Sequence, residues 1–232
     1  PSPLEVKPII ASENGNEIQL GGDKEQPAAG IVFKTIVDPF VGRLSLIRLY
    51  TGALKGGATM YNSVTGTSEK IGQVLTMRGK EKIELDGIFA GDICAVAKLT
   101  DTHTGDTLCA PGKKIVIPAM EFPRSVYSMA VVPKTRGDEE KISSGLTKLA
   151  EEDPTITKEN NVETHQLIVS GMGDQHLEIV VSRLKGMGTE VTLSVPRVSY
   201  RETITKKIQA EGKHKKQSGG HGQYGHVKIE FE

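Results

Sequence analysis

VYSMAVVPKTRGDEEKISSGLTKLAEEDPTITKENNVETHQLIVSGMGDQHLEIVVSRLKGMGTEVTLSV (126–195) is the stretch from which the fold can be read. Val126–Val132 reads as a strand. Asp138–Glu152 reads as a helix, because Ile142, Leu146 and Leu149 recur at i, i+4 and i+7 and so share one face. Its first turn, Asp138-Glu139-Glu140, complements the positive end of the helix dipole, and Asp153-Pro154 stops it. Thr155–Lys158 and His165–Ser170 read as two further strands. Asp174–Lys185 follows as a second helix with Leu177, Val180, Val181 and Leu184 in one stripe. Glu190–Val195 closes the unit, with Val191, Leu193 and Val195 on one side. The order β-α-β-β-α-β predicts a split-βαβ, ferredoxin-like α+β domain with both helices on one side of an antiparallel sheet.

Upstream, the pattern is different. Residues 1–29, rich in Pro, Gly and acids, read as a lead-in. From Gly30 the chain predicts short strands at Ile31–Val37, Gly42–Thr51, Ala58–Asn62, Lys70–Arg78, Asp92–Leu99 and Lys113–Ile117. Breakers such as Asp38-Pro39, Gly56-Gly57, Asp86-Gly87 and Gly105-Asp106 separate them, and no helical period intervenes. Such spacing predicts a closed or nearly closed β-barrel. The expected organisation is a lead-in (1–29), a barrel (30–121), a ferredoxin-like domain (122–197) and the incomplete start of a third α+β domain (198–232).

That last segment holds KQSGGHGQYGHVKI (216–229). Between Ile204 and Lys228 stand six lysines and one glutamate. A charge run alone reads as a solvated face. Here the lysines lead into a predicted loop built on Gly219, Gly220, Gly222 and Gly225. A cationic approach with a bare backbone suits an irregular polyanion, folded RNA. Val227, Ile229 and Phe231 then alternate with Lys228, Glu230 and Glu232, and the sequence stops in mid-strand. The chain is therefore expected to be a piece of a larger protein.

Composition narrows the function classes. Apolar residues make up 37% and charged residues 25%, enough for packed cores. With 29 acidic and 29 basic residues the whole-chain charge selects no partner. Aromatic residues are only 4%, which argues against a base-stacking surface. Cys94 and Cys109 form no CxxC and are expected as buried thiols in a reducing cytoplasm. No apolar run of about 20 residues or signal peptide occurs, so no membrane partner is expected.

Motifs for chemistry are scarce. GxxxxGK[ST], GxSxG, HExxH and an EF-hand loop do not occur in the sequence. His214, His221 and His226 match no zinc spacing, and His176 and Glu178, two apart on a helix, face different ways. Gly171-Met172-Gly173-Asp174-Gln175-His176 falls short of GxGxxG: the last position is His, and Asp174 places a carboxylate where a pyrophosphate would lie. A tight turn with Asp174 capping the helix is expected instead. No catalytic residue, cofactor or metal site is predicted.

Six blocks carry a resemblance: DPFVGRLSLIRLYTG (38–52), GDTL (105–108), LAEEDPT (149–155), SGMGDQHLEIVVSRL (170–184), YRETI (200–204) and QSGGHGQYGHV (217–227). In this order and spacing they resemble translation elongation factor G, from about residue 3 to the end. The resemblance implies that 3–117 is similar to the family's second domain, a translation-factor β-barrel, 122–197 to its third, and 198–232 to the opening of its fourth. It also implies a function: GTP-dependent movement of tRNA and mRNA through the ribosome, in the cytoplasm, by a monomer whose GTP and magnesium sit in a first domain not represented here. The stretch itself would then be no enzyme. Implied partners are ribosomal RNA and small-subunit proteins, with tRNA and mRNA near the decoding region. Position by position, Lys216, Gln217, Ser218, Gly219, Gly220 and Gly222 would face RNA, with Lys213, Lys215 and His221 beside them.

Three sites depart from the family's usual pattern. His221 stands for Arg, Asp174-Gln175 for Glu-Leu, and Gly186-Met187-Gly188 loosens the second helix's end. A titratable His in place of a permanent cation weakens phosphate attraction near neutrality. These departures keep a divergent paralogue or a ribosome-protection factor as alternatives, and a stand-alone RNA- or ribosome-binding module is the alternative of a different class.

Overall fold

A computed structural model describes residues 2–38, 41–79 and 81–232, with Ser218 and His221 described by backbone alone. Pro39 and Phe40, in the turn expected after Asp38, lie outside the described residues. Two units emerge, residues 1–196 and 197–232.

The first unit begins with structure where a lead-in was expected. Asn14 and Gly15, with φ of 52° and 84°, close a two-residue turn between β1 (Ile9–Glu13) and β2 (Asn16–Leu20). Asn-Gly is the dipeptide best suited to a turn with two positive φ angles. Leu20 and Ala11 of this hairpin pack with Ala29, Ile31 and Cys109, so it is part of the folded unit.

The strands that follow are β3 (Ala29–Asp38), β4 (Gly42–Thr51), β5 (Ala53–Lys55), β6 (Thr59–Asn62), β7 (Ser68–Lys70), β8 (Val74–Arg78), β9 (Glu81–Leu85), β10 (Gly87–Phe89), β11 (Ile93–Ala97), β12 (Thr107–Cys109) and β13 (Ile115–Val116). Eight pair in the order β7-β6-β12-β3-β4-β11-β8-β9, while β5 pairs with β10 and β13 with β1. Met60 of β6 and Val74 of β8 come from near opposite ends of the eight-stranded order. They share one core with Val32, Ile47, Val96 and Leu108, so the sheet curls round it as a barrel. The three-residue strands β5, β7, β10 and β12 were not expected as separate elements; each is too short to show a period.

Cys94 lies in this core at 1% exposure and is unpaired. Burial, with a lesser push from the charge of Asp92, raises its thiol from 9.0 to about 12. The folded protein therefore keeps a proton that the unfolded chain loses above 9.0. This contribution to stability is complete below pH 9.0 and drains away as the pH rises towards about 12. Urea unfolding between pH 9 and 11 should show stability falling more steeply than in Cys94→Ala, by up to about 1.4 kcal/mol per pH unit. Parallel slopes would refute it.

The α+β part comprises β14 (Tyr127–Pro133), α1 (Glu139–Glu152), β15 (Thr157–Asn161), β16 (Gln166–Gly171), α2 (Asp174–Gly186) and β17 (Val191–Ser194). The sheet order β15-β16-β14-β17, antiparallel throughout, is that of a split βαβ arrangement. Ile142, Leu146 and Leu149 of α1 meet Leu177, Val180 and Leu184 of α2 over Val131, Val169 and Val191. A Cβ on Gly145 would stand 2.7 Å from Leu184 Cδ2, so the helices approach closely there. Val195, expected on the packed face, lies past the end of β17 and is exposed.

Asp174 is the first residue of α2 rather than its cap, and its Oδ1 accepts from the N–H of Gln175 at 2.8 Å. It complements the dipole from inside the first turn. His176 Nδ1 accepts from Met172 N–H at 3.1 Å, and its Nε2 lies 3.2 Å from Asp153 Oδ2. Burial alone would raise the Asp153 carboxyl, but hydrogen bonds from Thr155 and the neighbouring His176 hold it below the usual value.

Barrel and α+β part meet through the end of α1. Val37 N–H donates to Glu152 Oε1 at 2.6 Å, Arg183 contacts the other oxygen of Glu152, and Arg43 lies 3.8 Å from Glu151.

Candidate nucleic-acid interface

In the second unit, β18 (Ile208–Ser218) and β19 (His221–Phe231) form a hairpin with eleven paired positions. This corrects the expected glycine loop. Only Gly219 and Gly220 turn; Gly219, with φ of 75°, supplies the positive angle that a two-residue turn needs at its first position. Gly222 and Gly225 lie within β19 opposite Gln217 and His214. Pairing with the opposite strand keeps both extended.

Register decides which predicted residues come together. Lys213 pairs with His226, Lys215 with Tyr224 and Gln217 with Gly222, all on one face, because directly opposed residues share a side and successive residues alternate. Lys216 pairs with Gln223 and lies on the opposite face. The lysine run is therefore split between two surfaces. The side chains of Ser218 and His221, both expected to face RNA, lie outside the described residues. Their backbones pair with each other beside the turn.

Charge is graded along the hairpin. Away from the turn, His226 Nε2 lies 2.6 Å and Lys228 Nζ 3.7 Å from Glu211, Lys207 contacts Glu230, and Lys207 Nζ is 3.0 Å from Glu232. Among the described residues, Lys213, Lys215 and Lys216 have no carboxylate in ion-pair reach, and all three are exposed. Positive charge is thus neutralised away from the turn and left uncompensated near it. Unpaired lysines on an exposed rib can exchange counterions for phosphates.

The sequence reading missed Tyr224, His226 and Gln223 as neighbours of the lysines. Gly-Gly between two strand-like runs was the available signal: read as a turn, it fixes every cross-strand pair.

Among the described residues no group of three His, Cys, Asp or Glu side chains is placed to hold a metal ion. Among the same described residues no helix is long and apolar enough to cross a membrane.

Comparison with known proteins follows the same order along the chain. Family models for elongation factor G match residues 27–111 (domain 2), 122–195 (domain III) and 196–232 (domain IV). Proteins named elongation factor G from Ureaplasma parvum serovar 3 and Ureaplasma urealyticum serovar 10 are each 47% identical over 234 residues, covering 100% of this chain. The chain belongs to the elongation factor G family. It spans 34% of the length of those relatives. A crystal structure from Thermus thermophilus superposes with a TM-score of 0.75 at 37% identity, covering 88% of this chain and 31% of that one. The hairpin lies within the span matched by domain IV of elongation factor G, while the curled barrel and split βαβ sheet lie within those matched by domains 2 and III.

Proposed function

We propose that these residues serve a ribosomal translocase that moves tRNA and mRNA in a GTP-dependent step of protein synthesis, in the cytoplasm and as a monomer. GTP and magnesium would be held by a domain outside residues 1–232, and no residue of this chain would do chemistry on the nucleotide. The division into 1–29, 30–121, 122–197 and 198–232 belongs to the same proposal, with residues 1–29 joined to the barrel through the β1–β2 hairpin. Barrel and ferredoxin-like domain brace against the small subunit and relay nucleotide state, and the hairpin reaches RNA near the decoding region. The carrying observation is the group of uncompensated lysines beside the Gly219-Gly220 turn, in a chain 47% identical to proteins named elongation factor G.

Lys215→Ala with Lys216→Ala in the full-length protein tests the RNA contact. Ribosome affinity should fall several-fold at about 100 mM salt, and the slope of log K against log salt should become shallower by about 1–2, since each lost phosphate contact removes about 0.7–0.9. An unchanged slope would show that these lysines meet no phosphate.

A further inference from the structure

The hairpin's two faces have different chemistry. One carries Ile208, Val227, Ile229 and Phe231, which are 58, 52, 46 and 45% exposed and form an apolar stripe suited to packing against protein. The other carries Glu211, Lys213, Lys215, Tyr224 and His226. Tyr224 therefore points away from the stripe that protein would cover, and it is 66% exposed.

We propose that Tyr224 is a stacking platform for an unpaired RNA base, with Lys213 and Lys215 engaging the phosphates beside it; this rests on the RNA reading above. Lys215 stands directly opposite the ring. Lys213, two residues along the same strand face, is about 6.7 Å further on, far enough to meet a separate phosphate. On the turn side of Tyr224 the next residue of that face is Gly222, with no side chain, and its neighbour across the ladder is the uncharged Gln217, whose Cγ is 3.8 Å from where a Gly222 Cβ would stand. On the other side His226 is held 2.6 Å from Glu211 and does not compete for the ring. No carboxylate stands on this face between Glu211 and the turn. A water-exposed π-surface flanked by free cations and clear of acids is what single-stranded RNA requires. The low aromatic content of the chain does not weigh against this, because one correctly placed ring suffices for one base.

The test uses the full-length protein and a fluorescent twelve-nucleotide oligo(A) as probe. Tyr224→Ala and Tyr224→Leu should each weaken binding about ten-fold, the order expected from losing one base–aromatic stack, with the salt slope unchanged. Tyr224→Phe should bind within about two-fold of the unsubstituted protein. Lys213→Ala with Lys215→Ala should instead make the salt slope shallower. Full binding by Tyr224→Leu or Tyr224→Ala, or loss in Tyr224→Phe, overturns the stacking role while leaving the RNA reading intact. No oligo(A) binding by the unsubstituted protein also overturns it. A salt slope unmoved by the lysine substitutions removes the RNA reading itself.

Discussion

Glu69→Ala should destabilise the barrel by about 2–3 kcal/mol, read as a shift of the urea midpoint at unchanged m-value. Glu69 is 5% exposed on β7, and its carboxylate gathers one loop. Oε1 accepts from Asp101 N–H at 2.7 Å and Thr102 Oγ1 at 2.9 Å; Oε2 accepts from Thr100 N–H at 3.3 Å and Thr100 Oγ1 at 3.4 Å. The same loop runs on to Asp106, whose Oδ2 accepts from Asn62 Nδ2 at 2.9 Å and His103 N–H at 2.8 Å. Asn62, fully buried, in turn accepts from Val64 and Thr65 through Oδ1. Removing Glu69 strands the buried Thr102 hydroxyl, at a cost of about 1–3 kcal/mol, and loosens the three donors of the exposed Thr100 and Asp101, which water can reach. Glu69→Gln should fare little better, because its amide presents donors to a ring of donors. A loss below about 1 kcal/mol for both variants would mean that water replaces the carboxylate without penalty. Asp106 belongs to the GDTL block, so that block's acid is accounted for by architecture rather than catalysis.

Gly52→Ala should cost more than about 3 kcal/mol, whereas Gly57→Ala should cost only about 1. Both glycines have positive φ, 80° and 81°, and share the strain of about 1–2 kcal/mol that an L-residue pays there. They differ in surroundings. A Cβ on Gly52 would stand 2.5 Å from the backbone of Ala28 and 2.6 Å from Gln26 O, while one on Gly57 meets nothing within 4 Å. Backbone cannot rotate aside as a side-chain end can. Gly52 also donates to Asp23 O at 2.8 Å and accepts from Ala90 N–H at 2.9 Å, so shifting it pulls on two other segments. Equal losses at the two positions in thermal unfolding would show that φ alone matters and that the close approach does not.

The sites themselves were legible to different depths. Both helices stand within a residue of their expected limits, because each buries a stripe at i, i+3 and i+4 against a single sheet and the period survives in the sequence. The Asn14-Gly15 turn is an equally legible signal, but the acids and prolines around it read as a linker. The glycines of the last segment misled for a related reason. Gly222 and Gly225 have no intrinsic preference for strand, and an eleven-pair ladder imposes one. The Glu69–Asp106 group left no local trace at all: its members come from β6, β7 and the loop before β12, and only barrel closure brings them together.

By itself the sequence determined the order of barrel, split βαβ unit and basic segment, since periodicity and turn chemistry are written residue by residue along the chain. The gathering of Asn62, Glu69 and Asp106 about one loop, and the closing of the eight-stranded sheet on a single core, were decided by tertiary structure alone. Those depend on which strands meet across the barrel, and such pairing is a relation between distant positions that no single stretch contains.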